Sequence, residues 1–460
     1  MALRLYNTLG RKIQDFSPRR GTGVGLYTCG PTVYSTAHLG NLRTYIFEDV
    51  LRRTLEFNGY KVKQVMNVTD VGHLTDDGDM GEDKIEKAAK LEKKSAWDIA
   101  QEHETEFFRD LERLNVLKPS GVLRATEHID LQIELIKKLE TKGVTYRISD
   151  GIYFDTSKFP TYGQLSGQTR NEKRAGARVE VNTEKRHPSD FALWKFSKPE
   201  DKRQMEWPSP WGVGFPGWHI ECSAMSISQF PRGLDIHCGG IDHIAVHHEN
   251  EIAQNEAAGH KDFVKIWMHG EFLVLPGQRM GKSEGNSITL PDVIGRGIHP
   301  LAFRYLCLQS HYRAPLSFTW ESLTAASTGL NNLWLQIDTN GDTARVGCAE
   351  FEERFHAVVD DDLNTPQALA IMHELLKSDY PWHAKRQSLS VFDTILGLDL
   401  LSVRASQWIE PTPELRVLLN NREDARREKN FPQADEVRKK LLASGFIVDD
   451  TPDGPRLRKA

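Results

Sequence analysis

The chain has 460 residues, too many for a single hydrophobic core, so we expect a large α/β domain joined to smaller ones. Its apolar and charged fractions, 39% and 27%, are ordinary for a globular protein, and no apolar run is long enough to span a bilayer. The formal net charge of −5 argues against wholesale coating of nucleic acid but is compatible with one local basic face that binds a polyanion.

The cysteines and the first residues bear on the cellular compartment. The five cysteines are scattered without the spacing of a disulfide framework, so we expect reduced thiols or metal ligands. Residues 1–6 enter strand-like alternation directly, without the apolar core of a signal peptide. We therefore predict a cytoplasmic protein with no membrane partner.

The first predicted elements are a strand, a turn, a helix and a second strand. Residues 24–29 form a short apolar strand that ends in Gly30-Pro31. Apolar residues then recur at helical spacing over 42–55, and residues 61–67 have the pattern of the next strand. Such a βαβ unit predicts a Rossmann-like parallel sheet with a site at the carboxyl ends of its strands.

The middle of the chain is predicted to interrupt this sheet. Residues 95–142 have a helical pattern with one apolar stripe, formed by Trp97, Ala100, Phe107, Leu111 and Leu114. Residues 150–210 change to short strands and polar turns, as expected of an insertion, and the sheet is predicted to resume near Trp211. A strand over 234–237, a glycine pair, a helix over 247–258 and a strand over 264–268 then repeat the earlier pattern.

The last third of the chain is predicted to be mainly helical. The helical patterns cover residues 301–309, 320–337, 351–359, 366–376 and 387–396. Residues 410–413 have the composition of a linker, and two charged helices over 414–429 and 433–444 and a short hairpin follow. We therefore expect an α/β catalytic domain split by an insertion, then a helical bundle and a small α+β tail module.

Two short signatures indicate a binding site for a nucleoside triphosphate. His38 lies in a strand-to-helix turn, where Gly40 lets the backbone approach an anion that the imidazole also contacts. Residues 278–283 form a basic loop, and Lys282 in it could act as a mobile cation. Such a cation stabilises the negative charge that shifts from the α-phosphorus to pyrophosphate during the reaction. Either signature alone is weak, because such a His is commonly a surface or capping residue and such a Lys is commonly solvated.

A third group of residues offers soft and borderline metal ligands. His247 and Glu251 are four residues apart on a predicted helix, so both project from one face, whereas His248 and Glu249 are expected to point elsewhere, toward solvent or the sheet. Cys222 has an ordinary alternative as a buried apolar thiol. Spacing predicts a zinc site here but leaves its other ligands open among Cys222, His237, Cys238 and His243.

In their order and separation the two signatures resemble the HIGH and KMSKS motifs of class I aminoacyl-tRNA synthetases. Asn41 stands where the first motif has its second His, and Arg279 and Gly281 replace a Lys and a Ser of the second motif, whose other Lys is kept as Lys282. From about Leu5 to its end the chain is similar to cysteinyl-tRNA synthetases, most clearly in residues 27–34, 215–225, 239–242, 247–254, 268–270 and 311–313.

This resemblance implies one zinc ion per subunit, held by Cys29, Cys222, His247 and Glu251. Zinc binds thiolate strongly, at ~2.3 Å, and lowers the pKa of the thiol, whereas a hydroxyl stays protonated. Ligation of the substrate sulfur then separates cysteine from serine, which shape alone distinguishes by only about 10- to 200-fold, and no editing domain is required. The residues implied around the bound cysteine are Cys29, Gly30, Thr69, Trp218 and Asp242.

For the nucleotide, the resemblance implies catalysis by His38, Asn41 and Lys282. ATP, accompanied by Mg²⁺, is expected to contact His38, Gly40, Asn41, Met280, Lys282 and Ser283. The cysteine carboxylate attacks the α-phosphate, which gives cysteinyl-adenylate and pyrophosphate, and the 3′ end of tRNA(Cys) then accepts the cysteinyl group. The sequence offers no evident general base, which fits a mechanism of positioning and charge stabilisation. The expected partners of the chain, which we predict to be a monomer, are tRNA(Cys), ATP and L-cysteine.

The resemblance also predicts the domain boundaries. The catalytic domain is expected in two halves, 1–115 and 211–275, the second with the zinc site, around a connective insertion at 116–210. The KMSKS-type loop and stem-contact region (276–335), a helical-bundle tRNA-binding domain (336–408) and an anticodon-binding module (409–460) follow. From charge alone, the last module would be interpreted as a solvated helix pair with internal salt bridges.

Two alternative functions remain open at this stage. A cysteine ligase for a small amino-sugar acceptor, as in mycothiol synthesis, shares the zinc and phosphate motifs but lacks an anticodon module, so residues 411–460 favour tRNA. A catalytically silent tRNA-binding or regulatory paralogue is suggested by Arg279 and Gly281.

Overall fold

The structure is a computed structural model that describes residues 2–71, 74, 81, 83–168, 182–276, 278–280, 285–337, 346–401, 408–409, 411–451 and 454–459. All five cysteines are buried free thiols, as their scattered spacing predicted. Among the described residues, no helix combines the length and the apolar character that crossing a membrane requires.

The chain begins with a small hairpin followed by the predicted βαβ unit. The elements are β1 (Arg4–Asn7), β2 (Lys12–Asp15), β3 (Gly23–Thr28), α1 (Leu39–Phe57) and β4 (Lys61–Val68). Strands β3 and β4 are parallel neighbours, and α1 buries its predicted apolar stripe in the same core. Gly59, with a φ of +80°, provides the left-handed turn that leads from the helix to β4.

Residues 95–142 are helical at both ends, as predicted, but a strand that was not predicted interrupts them. After α2 (Lys84–Glu92), this part contains α3 (Ala96–Arg113), β5 (Gly121–Arg124) and α4 (Ile129–Thr141). Strand β5 has only 4 residues, too few for a periodic pattern, and it is defined by its parallel pairing with β4. Within α3, Phe107 and Leu111 are buried as predicted, but Trp97 is 48% exposed.

The insertion contains a second, antiparallel sheet. Its strands, in sheet order, are β6 (Thr145–Ile148), β7 (Gly151–Phe154), β8 (Phe191–Phe196) and β9 (Gly214–Pro216). Because β9 pairs with β8, the segment after Trp211 still belongs to this sheet, and the predicted return to the main sheet at this point is wrong. A short apolar strand has the same local pattern in either sheet, so sequence could not distinguish them.

The main sheet is completed by α5 (Trp218–Gln229), β10 (Leu234–Gly240), α6 (His247–Ala257) and β11 (Val264–Gly270). Its strand order is β11-β10-β3-β4-β5 and every pairing is parallel, which confirms the Rossmann-like expectation. The chain moves from β3 toward one edge and from β10 toward the other. The order therefore reverses between β3 and β10, where open α/β sheets bind ligands at the carboxyl ends of their strands.

The region after the main sheet is largely helical. Its elements are β12 (Leu273–Leu275), β13 (Gln278–Arg279), α7 (Leu290–Gly295), α8 (Pro300–Leu308), β14 (Leu316–Ser317), α9 (Trp320–Gln336), α10 (Ala349–Val359), α11 (Thr365–Lys377) and α12 (Trp382–Leu396). The five predicted helices correspond to α8–α12, whereas the short helix α7 and the small sheet β13-β12-β14 were not predicted.

The tail module has the predicted helix pair and hairpin. It comprises β15 (Trp408–Ile409), α13 (Pro413–Arg427), α14 (Phe431–Ala443), β16 (Phe446–Thr451) and β17 (Gly454–Lys459). Strand β15 adds to the hairpin through β17. Residue 410 of the predicted linker lies outside the described residues, and Thr412 caps α13 through its side chain.

A buried ion pair connects α1 to the helical region. The Oδ2 atom of Asp49 lies 2.6 Å from Nη2 of Arg304 and 2.7 Å from Nε of Arg53, and the side chains of Asp49 and Arg304 are 0% exposed. The other oxygen of Asp49 accepts a hydrogen bond from the backbone N–H of Leu117. Arg304 also donates to the carbonyl of Leu396 at the end of α12. The carboxylate therefore fixes α1 against α8, and Arg304 extends the contact to the end of α12.

Replacing Asp49 by alanine is expected to lower the free energy of unfolding by about 3 kcal/mol or more, because two arginines lose their buried counter-charge. Chemical denaturation followed by tryptophan fluorescence measures the change. Glu134→Ala is the control, since it breaks an exposed pair with Lys137 and should cost less than about 1 kcal/mol. Equal losses in the two variants would contradict a stabilising role for Asp49.

Candidate active site and metal centre

The first signature lies at the N-terminus of α1, as predicted. His38 is the N-cap residue: its Nδ1 accepts a hydrogen bond from the N–H of Asn41, and the Oδ1 of Asn41 accepts one from the N–H of His38, both at 3.3 Å. A β-carbon at Gly40 would lie 2.9 Å from the His38 ring, so glycine leaves room for the imidazole. The two side chains are thus held at the positive end of a helix, where an anion binds most favourably.

The second signature is only partly within the described residues. Gly281, Lys282 and Ser283 lie outside them. Met280 is buried in the main hydrophobic core, at 7% exposure. The roles of Lys282, Ser283 and Met280 in nucleotide binding therefore stay predictions.

The segment after this loop lies against the His38 turn. Thr289 pairs with His38 in an antiparallel bridge, and the N–H of Leu39 donates to the carbonyl of Ile288 at 2.7 Å. Helix α7 begins directly after this contact. The chain that follows the second signature is therefore fixed beside the first signature, although the two are far apart in the sequence.

Four buried side chains meet beyond the carboxyl end of β3. Cys29 follows β3, Cys222 lies on α5, and His247 and Glu251 lie one turn apart on α6. Their ligand atoms are all within 4.8 Å of one another. The two Sγ atoms are 3.9 Å apart, and Nε2 of His247 is 3.2 Å from Oε1 of Glu251. Two thiols, an imidazole and a carboxylate at this spacing could hold a metal ion.

A second set of possible ligands overlaps the first. Nε2 of His248 lies 3.3 Å from Sγ of Cys29, and Nε2 of His237 lies 3.0 Å from Oε2 of Glu251. The expectation that His248 points away from the cluster is wrong, because residues three apart also share a helix face. Of the partners that spacing left open, Cys222 and His237 enter the two sets, Cys238 packs in the main hydrophobic core, and His243 belongs to neither set found among the described residues.

Glu249 connects the insertion to α6. Its buried carboxylate accepts hydrogen bonds from the backbone N–H groups of Gly163, Leu165 and Ser166, at 2.9–3.1 Å. The expectation that this side chain faces solvent or the sheet is therefore wrong. The insertion loop holds the helix that carries three of the possible metal ligands, His247, His248 and Glu251.

The electrostatics of the cluster fit a bound cation. Burial raises the pKa of the Cys29 and Cys222 thiols and lowers the pKa of His248, so burial alone disfavours thiolates and keeps this imidazole neutral. Oε1 of Glu251 is buried and accepts no hydrogen bond from the described residues. A metal ion would stabilise both thiolates and compensate this carboxylate oxygen, which makes it suitable for this site.

Three residues predicted to contact cysteine border the cluster. The ring of Trp218 stacks on that of His247, with centroids 4.4 Å apart. The N–H of Gly30 donates to Oδ1 of Asn67, and a β-carbon at Gly30 would lie 1.6 Å from the carbonyl oxygen of Asn67, so only glycine fits. Thr69 is buried directly after β4.

Asp242, also predicted to contact cysteine, lies in the short 3-10 turn Ile241–His243 after β10. Its side chain is exposed. A β-carbon at Gly240 would lie only 2.4 Å from Oδ1 of Asp242, so glycine leaves room for this carboxylate. The carboxyl ends of β3, β4 and β10 thus each lead to a residue predicted to contact cysteine. The contacts themselves stay predictions.

A parallel sheet with a crevice between β3 and β10, a capped helix N-terminus and a later segment fixed against that turn agree with the class that the family comparison shows, the class I aminoacyl-tRNA synthetases. Residues 15–328 match the model of the tRNA synthetases class I (C) catalytic domain, and residues 354–378 match the DALR domain. Two Mycobacterium tuberculosis methionyl-tRNA synthetase structures with methionyl-adenylate share the fold, with TM-scores of 0.53 and 0.55 at 16% identity. The alignments cover 82% of this chain and 90% and 89% of those chains.

Closer relatives align over nearly the whole chain. It is 51% identical to cysteine–tRNA ligase 1 of Burkholderia lata, over 99% of this chain and 97% of that protein. It is 44% identical to the cysteine–tRNA ligases of Treponema denticola and Thermus thermophilus, over 98% and 100% of this chain and 98% and 99% of those proteins. The chain belongs to the cysteine–tRNA ligase family.

Proposed function

We propose that this chain activates cysteine with ATP and transfers it to tRNA(Cys). The observation that carries the proposal is the buried cluster of Cys29, Cys222, His247 and Glu251 at the switch point of the sheet. Membership of the cysteine–tRNA ligase family supports the same activity.

We assign one zinc ion per subunit to this cluster. The donor set of two thiols, an imidazole and a carboxylate suits zinc and disfavours hard cations such as Mg²⁺ and Ca²⁺, which prefer oxygen ligands. When bound, zinc supplies a borderline-soft Lewis acid that takes the thiolate of cysteine in preference to the hydroxyl of serine. Trp218, stacked on His247, borders the space where the substrate side chain would lie.

The residues of the first signature bind and orient the triphosphate, which Mg²⁺ accompanies. His38 and Asn41 present the N-terminus of α1 to the phosphates, and Gly40 leaves the backbone accessible. Lys282 adds a positive charge that follows the negative charge onto pyrophosphate as the cysteine carboxylate attacks the α-phosphorus.

The helical region and the tail module bind the tRNA in this proposal. The DALR match at 354–378 supports tRNA contacts in the predicted bundle domain, 336–408. The helix pair and hairpin of the tail supply the module, 409–460, that we predict to read the anticodon. The buried free thiols are typical of the cytoplasm, which is where we place the enzyme.

Pyrophosphate exchange with cysteine, compared with serine, tests the activity and the metal together. We expect exchange with serine to be slower by about 10³-fold or more, beyond the roughly 200-fold that shape alone supplies. A chelator that binds zinc but spares Mg²⁺, such as 1,10-phenanthroline, should abolish exchange with cysteine, and added zinc should restore it. Active protein that is metal-free, or that uses serine equally well, would contradict the proposal.

The acceptor requires its own experiment. Purified protein charged with radioactive cysteine should transfer it to tRNA(Cys) and not to the amino-sugar acceptor of mycothiol-type ligases. Transfer to the amino-sugar alone would favour the alternative ligase.

A further inference from the structure

A buried carboxylate next to the crevice has no part in the phosphate and metal contacts described so far. Glu221 lies on α5 directly before Cys222 and is 0% exposed. Its Oε2 lies 2.8 Å from Oγ1 of Thr69. Its other oxygen, also buried, makes no hydrogen bond within the described part of the chain. A buried carboxylate is costly to keep, so its contact with Thr69 calls for a functional explanation.

The hydrogen bonds of Thr69 determine what its side chain can still bind. A hydroxyl group has one proton and two lone pairs. Oγ1 of Thr69 donates its proton to Glu221 and accepts a hydrogen bond from Nδ2 of Asn67 at 3.3 Å. One lone pair remains. Thr69 can therefore serve a ligand only as an acceptor, which suits an ammonium group and not a carboxylate.

The backbone around Thr69 is fixed against the end of β3. The N–H of Thr69 donates to the carbonyl of Pro31 at 3.0 Å, and its carbonyl accepts from the N–H of Val33 at 3.1 Å. Asn67 is held in turn by the N–H of Gly30, which donates to its Oδ1 at 3.0 Å. A continuous chain of hydrogen bonds thus runs from β3 through Thr69 to the helix that carries Cys222.

We propose that Glu221 is a positioning residue that orients the Thr69 hydroxyl toward the α-ammonium group of the substrate. By accepting the proton of Thr69, Glu221 leaves a lone pair, and not an O–H, available to cysteine. The inference rests on the proposed function, because it places Thr69 in the cysteine pocket. The metal would select the side chain of the substrate, and the Glu221–Thr69 pair would select its amino end.

A ligand without the amino group separates this role from general packing. 3-Mercaptopropionate keeps the thiol and carboxylate of cysteine but lacks the ammonium group, and it can be assayed as a competitive inhibitor of pyrophosphate exchange. In Glu221→Leu, which removes the acceptor, we expect the KM for cysteine to rise about 10- to 100-fold, as for a lost hydrogen bond to a charged group. The inhibition constant of 3-mercaptopropionate and the zinc content should not change.

Two conservative variants serve as matched controls. Glu221→Gln retains an acceptor oxygen and should raise the KM for cysteine by less than about threefold, and Thr69→Ser should do the same because it keeps the hydroxyl. Thr69→Val should reproduce the loss seen in Glu221→Leu. The double variant, Glu221→Leu with Thr69→Val, should raise the KM for cysteine no more than either single variant does, because both substitutions remove the same interaction.

The outcomes distinguish the inference from the proposed function. Loss of zinc or of 3-mercaptopropionate binding in parallel with the cysteine effect would show a structural role for Glu221 and overturn the inference. An unchanged KM in Thr69→Val would also overturn it, and this variant decides the question if Glu221→Leu does not fold. Absence of exchange in the unmodified enzyme would instead refute the proposed function.

Discussion

Replacing Cys222 by serine is expected to release the metal and abolish cysteine activation while the chain stays folded. Cys222 is 1% exposed, and its Sγ lies 3.9 Å from that of Cys29. A hydroxyl stays protonated and is a poor zinc ligand, so the site keeps only three strong donors. We expect the exchange rate to fall at least ~10³-fold, since loss of even an outer-shell partner of a metal ligand costs about 10- to 100-fold.

Zinc content by atomic absorption, pyrophosphate exchange and circular dichroism measure the three parts of this result. Cys307→Ser is the matched control, because Cys307 is also a buried thiol, with its pKa raised by burial to about 12, but lies on α8 outside the cluster. The control should keep both metal and activity. Unchanged zinc in Cys222→Ser would refute the ligand assignment.

Local periodicity predicted the elements that depend on it. Helix α1 and the five helices α8–α12 each repeat an apolar face over several turns, and β3, β4, β10 and β11 are largely buried strands of 6–8 residues. Strands β5 and β14, with 4 and 2 residues, exist only through pairing with distant partners. No local pattern can reveal such strands, so the sequence predicted the layers of the fold better than its full strand order.

The candidate site also contains residues that a local pattern predicts and residues that only the folded chain brings together. The spacing of His247 and Glu251 is a local signal and was sufficient to predict a chelating pair. Cys29 entered the prediction only through family resemblance, because 193 positions separate it from Cys222. Glu221 and His248 could not be assigned from the sequence, because the sequence does not distinguish a polar side chain that is buried from one that is exposed. Their roles follow from contacts that only the folded chain provides.

Replacing Lys282 by alanine is expected to slow adenylate formation by about 10²- to 10³-fold, the range for a group that stabilises charge mainly in the transition state. The affinity for cysteine should change little, because the residues that we propose for the amino-acid pocket lie at the ends of β3, β4 and β10 and on α5. Single-turnover rapid-quench measurements give the rate of adenylate formation, and equilibrium binding gives the cysteine affinity. Lys282→Arg should retain most of the rate, since it keeps the positive charge.

The same experiment decides whether Arg279 and Gly281, which depart from the motif, have abolished the catalytic role of the loop. The bridge between His38 and Thr289 fixes the chain 7 residues after Lys282 beside the proposed phosphate site. Lys142→Ala, at the exposed end of α4, is the control for removing a positive charge elsewhere. A single-turnover rate that is normal in Lys282→Ala would remove this residue from the mechanism. A rate near zero in the unmodified enzyme would instead favour a regulatory paralogue, whose tRNA binding would persist without chemistry.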